Sequence, residues 1–448
     1  MMESNVGTIV REQIDPNYNR HPRGFWFIFW GELAERASFY GMRTLLLLYM
    51  INKLGYSDAN SGTVTQLFTA FCYILPIVGG YIADQYLGKF KTIIYFAVPY
   101  LMGHIILGTF TNEVGFYTAL FLLAGGSGTI KPNISTLMGL MYQKAGKQHL
   151  MTQAFSWFYM AINIGAAATT FSLPFIRDNY GYRAAFMAPT LLMAVSLGIF
   201  FLGKKHYPVE EIKRGKEKIV KTPEQKHEDR VTLLRLSGLF LMIVFFWSIF
   251  DQAESTWTLF ARDYMNRDIS IFGWSRTIPP DAIQSFNPVL IVLMTPLFAW
   301  IWMKSDRSKT FHLSSPKKML LGFFLVMLCM GVMTAAGYLA ADGKVPILWE
   351  LGAYVLITMA ELCISVIGLQ LAFEEAPERM KSVITGIWLF TVFLGNILAA
   401  WFARVYTSMS PGNFFGIMTI MITIVTVLFY FIGRRFEHGA SNQKAGVV

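Results

Sequence analysis

Glu32, Glu35, Arg36, Tyr40 and Arg43 stand at i, i+3, i+4, i+8 and i+11 of an otherwise apolar stretch that runs from about Gly24 to Asn52. At ~3.6 residues per turn this spacing puts all five on one face of one helix. A carboxylate beside a guanidinium can exchange a proton for an ion pair, so the face suits proton handling or the binding of charge. An exposed charge near a bilayer centre costs about 2.5–3.5 kcal/mol on insertion scales, so such a face must look into protein or a watery cavity. Later apolar stretches carry Lys131, Asp251, Glu254 and Glu361. Each has a plain structural reading as half of a buried ion pair, Lys131 with Asp251 for example. As a set they point to function, which is the default for ionisable groups at membrane depth. For Glu254, and for Asp84 at an expected span end, packing serves equally well.

The composition explains the setting. The 448 residues are 54% hydrophobic and 15% charged, with 38 Phe and 24 Met, whereas a soluble chain would be about a quarter charged. A polytopic α-helical membrane protein is expected. Met1 to Pro22 is polar, so no cleavable signal peptide is expected and the first span must direct insertion itself. Cys72, Cys329 and Cys363 fall in apolar segments and read as small buried hydrophobes. Nothing has the spacing of a Ser/His/Asp site, a Cys/His metal site or a phosphate-binding loop, so no enzyme, metal or ATP drive is expected. His104 reads as interior packing or a helix hydrogen bond.

Twelve segments are long enough to span: 24–52, 61–82, 90–111, 114–142, 150–176, 184–203, 233–264, 283–303, 316–340, 347–373, 379–407 and 411–433. With both termini on one side, 27 of the 38 Lys and Arg fall on that side and 8 on the other, with Arg36, Arg43 and Lys131 inside. The positive-inside rule then makes the termini cytoplasmic. The expected divisions are a cytoplasmic arm 1–23, a six-helix bundle 24–203, a basic linker 204–232, a second six-helix bundle 233–433 and a cytoplasmic tail 434–448. The linker mixes acids, prolines and bases without aromatics for stacking. It reads as a solvated connection, with an amphipathic helix on anionic lipid as one option, and not as a nucleic-acid site. The fold class is therefore an all-α polytopic membrane protein. Two six-span halves around a mid-membrane site are the architecture of the major facilitator superfamily.

Specific stretches sharpen that likeness. Gly79 to Lys91, with Asp84, resembles the superfamily's glycine, aspartate and basic loop, a gate and packing element. Glu32-Leu33-Ala34-Glu35-Arg36, followed by Phe39-Tyr40-Gly41-Met42-Arg43, resembles the ExxER motif and tyrosine-rich segment of the proton-dependent oligopeptide transporter family (POT/PTR). Gly128 to Asn133 with Lys131, Phe155 to Gly165 with Asn163, and Gln284 to Pro288 agree with it in order along essentially the whole chain. Phe39 departs from the pattern where many relatives have tyrosine, and Phe250 precedes Asp251 where some carry another acid. The chain reads as a minimal twelve-span member.

The resemblance implies a symporter that imports di- and tripeptides with protons by alternating access, with no cofactor beyond the proton gradient. It makes Glu32 and Glu35 the acids of proton coupling, with Arg36 their partner. It assigns Arg43 and Lys131 to the peptide carboxylate. Glu361 takes the amino group, in a run that includes Ser365, with Asn163 and Asn287 beside it. Asp251 pairs with Lys131 at the outer gate, and Tyr40, Tyr73 and Trp388 are pocket aromatics. The expected setting is the cell membrane, multi-pass, with the peptide, protons and lipid as partners and a monomer as the working unit. A same-fold carrier of nitrate, another organic anion or an amino-acid derivative is the alternative. Glu361 argues for a ligand with a cationic group.

Overall fold

A computed structural model describes residues 18–210, 222–271, 274–308 and 313–445. Its helices are α1 (Arg23–Asn52), α2 (Asp58–Ile82), α3 (Lys89–Thr109), α4 (Glu113–Lys144), α5 (Met151–Leu202), α6 (Pro223–Phe250), α7 (Thr256–Tyr264), α8 (Phe286–Arg307), α9 (Ser315–Leu339), α10 (Leu348–Glu375), α11 (Lys381–Tyr406) and α12 (Pro411–Ala445). Among the described residues, nine helical stretches are long and apolar enough to cross a membrane.

One of the nine, α5, is a hairpin in disguise. Its continuity breaks at Gly181, whose φ of 81° and ψ of 170° lie where only glycine sits easily. Both arms lie against α1. Thr169 donates to Ala37 O and Ser38 donates to Pro189 O, while Ser196 donates to Gly31 O. Rising residue numbers therefore climb α1 on the first arm and descend it on the second, which makes the arms antiparallel.

Small residues let these helices meet closely. A Cβ on Gly165 would stand 2.6 Å from Leu33 O, and one on Gly41 would stand 2.6 Å from Leu173 Cδ1. The glycines around Lys131 act the same way, Gly126 against Tyr100 and Gly128 against Leu75. The backbone of α1 is thereby wedged among neighbours, and its charged face is held away from lipid.

Two hydrophobic clusters result. One draws on residues from Phe25 to Tyr207, the other on Leu236 to Phe436 together with Leu47. The links between these halves gather toward the end of the bundle opposite the chain termini. There Arg262 pairs with Asp58, Arg177 with Asp281, and Thr63 donates to Ala400 O. The polar connection after α7 is stitched there too, by a short antiparallel ribbon, Asp268–Ile271 with Trp274–Thr277, and by a parallel bridge from Met265–Asn266 to Val345–Pro346.

Three expectations need correction. Residues 223–232 of the expected linker are helical, because α6 starts at Pro223, under a capping box in which Thr222 Oγ1 accepts from Gln225 N and the Gln225 side chain accepts from Thr222 N. The amphipathic-helix option for 211–221 lies outside the described residues, as do 1–17 of the N-terminal arm. The span expected over 233–264 is split by a 3₁₀ turn at Asp251–Glu254, and α12 runs on to Ala445 through the stretch read as a tail. Cys72, Cys329 and Cys363 are free and buried, as expected, and His104 Nε2 lies 3.1 Å from Ser38 Oγ within the α1 packing.

A contrast in glycines tests the packing account. Gly165→Val should destabilise the protein by about 1–3 kcal/mol through overpacking. Gly125→Ala, where an added Cβ meets nothing within 4 Å, should be neutral or slightly stabilising. Thermal melts of the two detergent-purified variants read the difference, and equal melting points would refute it.

Candidate functional site

A cavity lies between the halves. Its N-terminal wall carries Tyr40, Arg43, Tyr73 and Asn163, and its C-terminal wall Asp251, Glu254, Asn287 and Glu361. All eight are singled out in the sequence, Glu254 alone without an assigned role.

The α1 face divides along its length. Toward the chain termini, Arg36 is gripped by Glu35, with Nη2 donating to Oε1 at 2.6 Å and Nε to Oε2, and lies 3.4 Å from Glu32 Oε1. All three side chains are sealed from solvent. Glu32 Oε2 and Arg36 Nη1 have no hydrogen-bond partner. Farther along, Arg43 lies over the rings of Phe39 and Tyr40, at 5.4 and 5.0 Å, and pairs with Glu254 across the cavity. Two guanidiniums seven residues apart thus have separate counter-ions, one within α1 and one from the other half.

Glu254 reaches Arg43 because the helix breaks beside it. The 3₁₀ turn at 251–254 swings Asp251 and Glu254 inward, and the turn is held from the opposite half. Gln66 Nε2 donates to Asp251 O at 2.7 Å and to Ser255 Oγ at 2.8 Å, and Thr69 donates to Glu254 Oε2 at 3.4 Å. The Asp251 carboxylate accepts from Asn396 of α11 at 2.7 Å. On α10, Glu361 accepts from Asn287 Nδ2 at 2.9 Å, and the same amide donates to Thr358. Asn163 spends its amide on Tyr159 O, one turn back.

Several expected positions differ from this arrangement. The Lys131–Asp251 pair is not made in this structure. Lys131 Nζ instead lies 4.6 Å from the Tyr73 ring centroid, a cation–π contact, and Arg43–Glu254 occupies the corresponding bridge between halves. Lys131, Ser365 and Trp388 are not among the residues lining the cavity. The Trp388 indole is drawn into the gap left by Gly368, against Phe240 at 6.3 Å, inside the C-terminal core. Asp84 sits at the near end of α2, paired with Lys89 Nζ at 2.6 Å and half exposed, away from the cavity.

Sequence reasoning also missed residues. Glu254 was named from the sequence but given no role, although it follows Asp251 by one turn in an apolar stretch. Gln284, which lines the cavity and accepts from Thr44, lies within the Gln284 to Pro288 run. Tyr159 shares a face with Asn163. Gln66 and Asn396 carried no signal, because a neutral amide in a membrane helix is not rare enough to stand out.

Fold and cavity together define a multi-pass helical membrane transporter, with paired charges lining a central chamber. The model of the POT family matches residues 90–222 and 209–421. The chain is 31% identical to human solute carrier family 15 member 2 over 363 residues, 71% of this chain and 49% of that protein. It is 25% identical to the uncharacterised transporter YclF of Bacillus subtilis (strain 168), covering 93% of this chain and 95% of YclF. Among solved structures, the POT family transporter PepTSo superimposes with a TM-score of 0.83 at 26% identity, over 94% of this chain and 99% of that one. The chain spans about half the length of its human relative and nearly all of the bacterial one. It belongs to the POT family of membrane transporters.

The Arg43–Glu254 bridge makes a measurable claim. Removing one partner of a buried pair strands a charge, at a cost of about 3–5 kcal/mol, whereas replacing both with apolar groups is often tolerated. Glu254→Leu should therefore melt well below the parent, and Arg43→Met with Glu254→Leu should recover much of the loss. Additive losses in the double variant would show that the two side chains are not coupled.

Proposed function

We propose that the protein is a proton-coupled symporter that imports di- and tripeptides by alternating access. The observation that carries this reading is the polarity of the cavity within a POT family chain: Arg43 on the N-terminal wall, and Glu361, held by Asn287, on the C-terminal wall. A zwitterionic peptide presents a carboxylate to the first and an ammonium to the second, so it is held best when both walls converge. In this structure Glu254 occupies Arg43. An incoming carboxylate competes for the same guanidinium, which couples peptide binding to the bridge between the halves.

Charge counting supplies the proton. At the level of the cavity and the α1 cluster, three cations, Arg36, Arg43 and Lys131, face five carboxylates, Glu32, Glu35, Asp251, Glu254 and Glu361. An excess of anions in a low-dielectric interior favours proton uptake. Glu32 and Glu35 form the proton switch: protonating one leaves Arg36 a single partner, and Arg36 and Lys131 redistribute among the remaining acids. Alternation of Lys131 between Tyr73 and Asp251 then links the switch to the outer gate, which includes the Arg262–Asp58 and Arg177–Asp281 pairs. Asp84 with Lys89 serves the inner rim, and Ser365 and Trp388 take part only when the inner halves of α10 and α11 move.

The reading includes twelve crossings, α1 and α4 joining the apolar stretches and α5 counting twice, with both termini cytoplasmic and a monomer as the working unit. The five divisions read from the sequence stand in it, with the second bundle's first helix extended back to Pro223. A carboxylate at 361 favours a ligand bearing a cationic group over nitrate.

The deciding experiment is uptake of labelled dialanine into liposomes under an inward proton gradient, with dipeptides, tripeptides, free amino acids and nitrate as competitors. Dialanine should accumulate, and only peptides should compete. If no peptide competes, the peptide assignment is wrong although the family stands. In the same assay Glu35→Gln should cut gradient-driven uptake more than tenfold, with substrate counterflow reporting that the variant is folded. Unchanged gradient-driven uptake would remove Glu35 from the proton switch.

A further inference from the structure

A second buried carboxylate lies outside this machinery. Glu350 stands in the first turn of α10 at the end opposite the chain termini, just after the bridge of Met265–Asn266 to Val345–Pro346. It is 1% exposed, and its Oε2 has no hydrogen-bond partner. A buried, unpaired carboxylate is expensive, so its retention calls for a reason.

The α10 face supplies one. Glu350, Tyr354, Thr358 and Glu361 follow at i, i+4, i+8 and i+11, the same spacing that marks the charged face of α1. At ~1.5 Å per residue they form a polar ladder roughly 16 Å long. Its lower part is the cavity wall: Tyr354 and Glu361 both line the chamber, and Asn287 ties Thr358 to Glu361. Its middle rung, Tyr354, is buried with its hydroxyl unpartnered, and stands edge-on to Trp257 at 5.3 Å, whose Nε1 is unpartnered as well. Arg267 directly follows the Met265–Asn266 strand of that bridge, half-buried, with Nη1 donating to Ile278 O and Nε unpartnered. Arg267 and Tyr354 are the ionisable groups that act on Glu350. Arg267 in turn faces Asp268, Asp281 and Asp178. Four neighbouring side chains with idle polar atoms thus link the rim to the cavity.

We propose that Glu350 is a proton-loading site at the outer end of α10, which passes its proton by way of Tyr354 to the cavity carboxylate Glu361. Glu350 takes a proton from outer water. Its O–H then breaks as the Tyr354 oxygen accepts, while the tyrosine's own hydroxyl proton moves on through solvent in the chamber to Glu361. One O–H bond is lost and one gained at each rung, with no change in oxidation state. The chain thereby has an entry for protons on the C-terminal half, separate from the Glu32–Glu35–Arg36 cluster. This inference rests on the symporter reading and on its assignment of the outer side.

The test uses full-length protein in liposomes and reads both gradient-driven uptake of dialanine and its counterflow at equal pH. A parent protein that fails to accumulate dialanine overturns the symporter reading itself. Given a working parent, Glu350→Gln should reduce gradient-driven uptake at least tenfold while counterflow stays within twofold, and Glu350→Asp should restore a large part of the drive. Retained gradient-driven uptake in the Gln variant overturns the proposal. So does a parallel fall in both assays, which marks Glu350 as a packing group. Should Glu350→Gln not insert, Arg267→Gln decides. Loss of the neighbouring cation favours the protonated acid, so the half-maximal outer pH for uptake should rise by about half a unit or more. An unmoved pH profile overturns the assignment.

Discussion

Charge inside a low-dielectric layer must be paired, solvated in a cavity or neutralised by a proton, and this chain is arranged around that constraint. Arg36 is satisfied within its own helix by acids one and four residues away. Arg43 is satisfied only from the other half, by Glu254. The first arrangement survives any movement of one half against the other, whereas the second does not. In the proposed alternating carrier the cluster travels with its bundle and the bridge belongs to one state.

The packing serves the same end. The α1 backbone is gripped by both arms of α5 through Gly31, Gly41 and Gly165 and through hydroxyl bonds to its carbonyls. Close contact of this kind fixes the charged face of α1 to within a side chain's reach of the cavity. The helix break at Asp251–Glu254 is the complementary device on the other side, where a turn frees two acids from the regular surface of the span.

How far the sequence could be read depends on the kind of signal. Glu32, Glu35, Arg36 and Arg43 were legible because charges are rare in apolar helices and a period of 3.6 assigns them a common face. Lys131, Asp251 and Glu361 were legible by rarity alone. Partners were not, since pairing depends on which helices meet. Lys131 rests on Tyr73 and not on Asp251, and Glu254, left undecided at a supposed span end, holds Arg43. Trp388, an aromatic at helical spacing, belongs to the core because Gly368 opens a slot for it. The start of α6 was present in the sequence as Thr222-Pro223-Glu224-Gln225, but a polar helix outside the membrane carries no hydropathy signal.

By itself, then, the sequence determined the membrane setting, the apolar segments, the charged face of α1 and the rare charges Lys131, Asp251 and Glu361. These follow from composition and from helical period, which are local properties. Tertiary structure alone decided which acid meets which base, that the two arms of α5 lie antiparallel along α1, and that Tyr354 meets Trp257 beside the cavity. Those are distances between segments far apart in the chain, set by helix packing, and no local pattern encodes them.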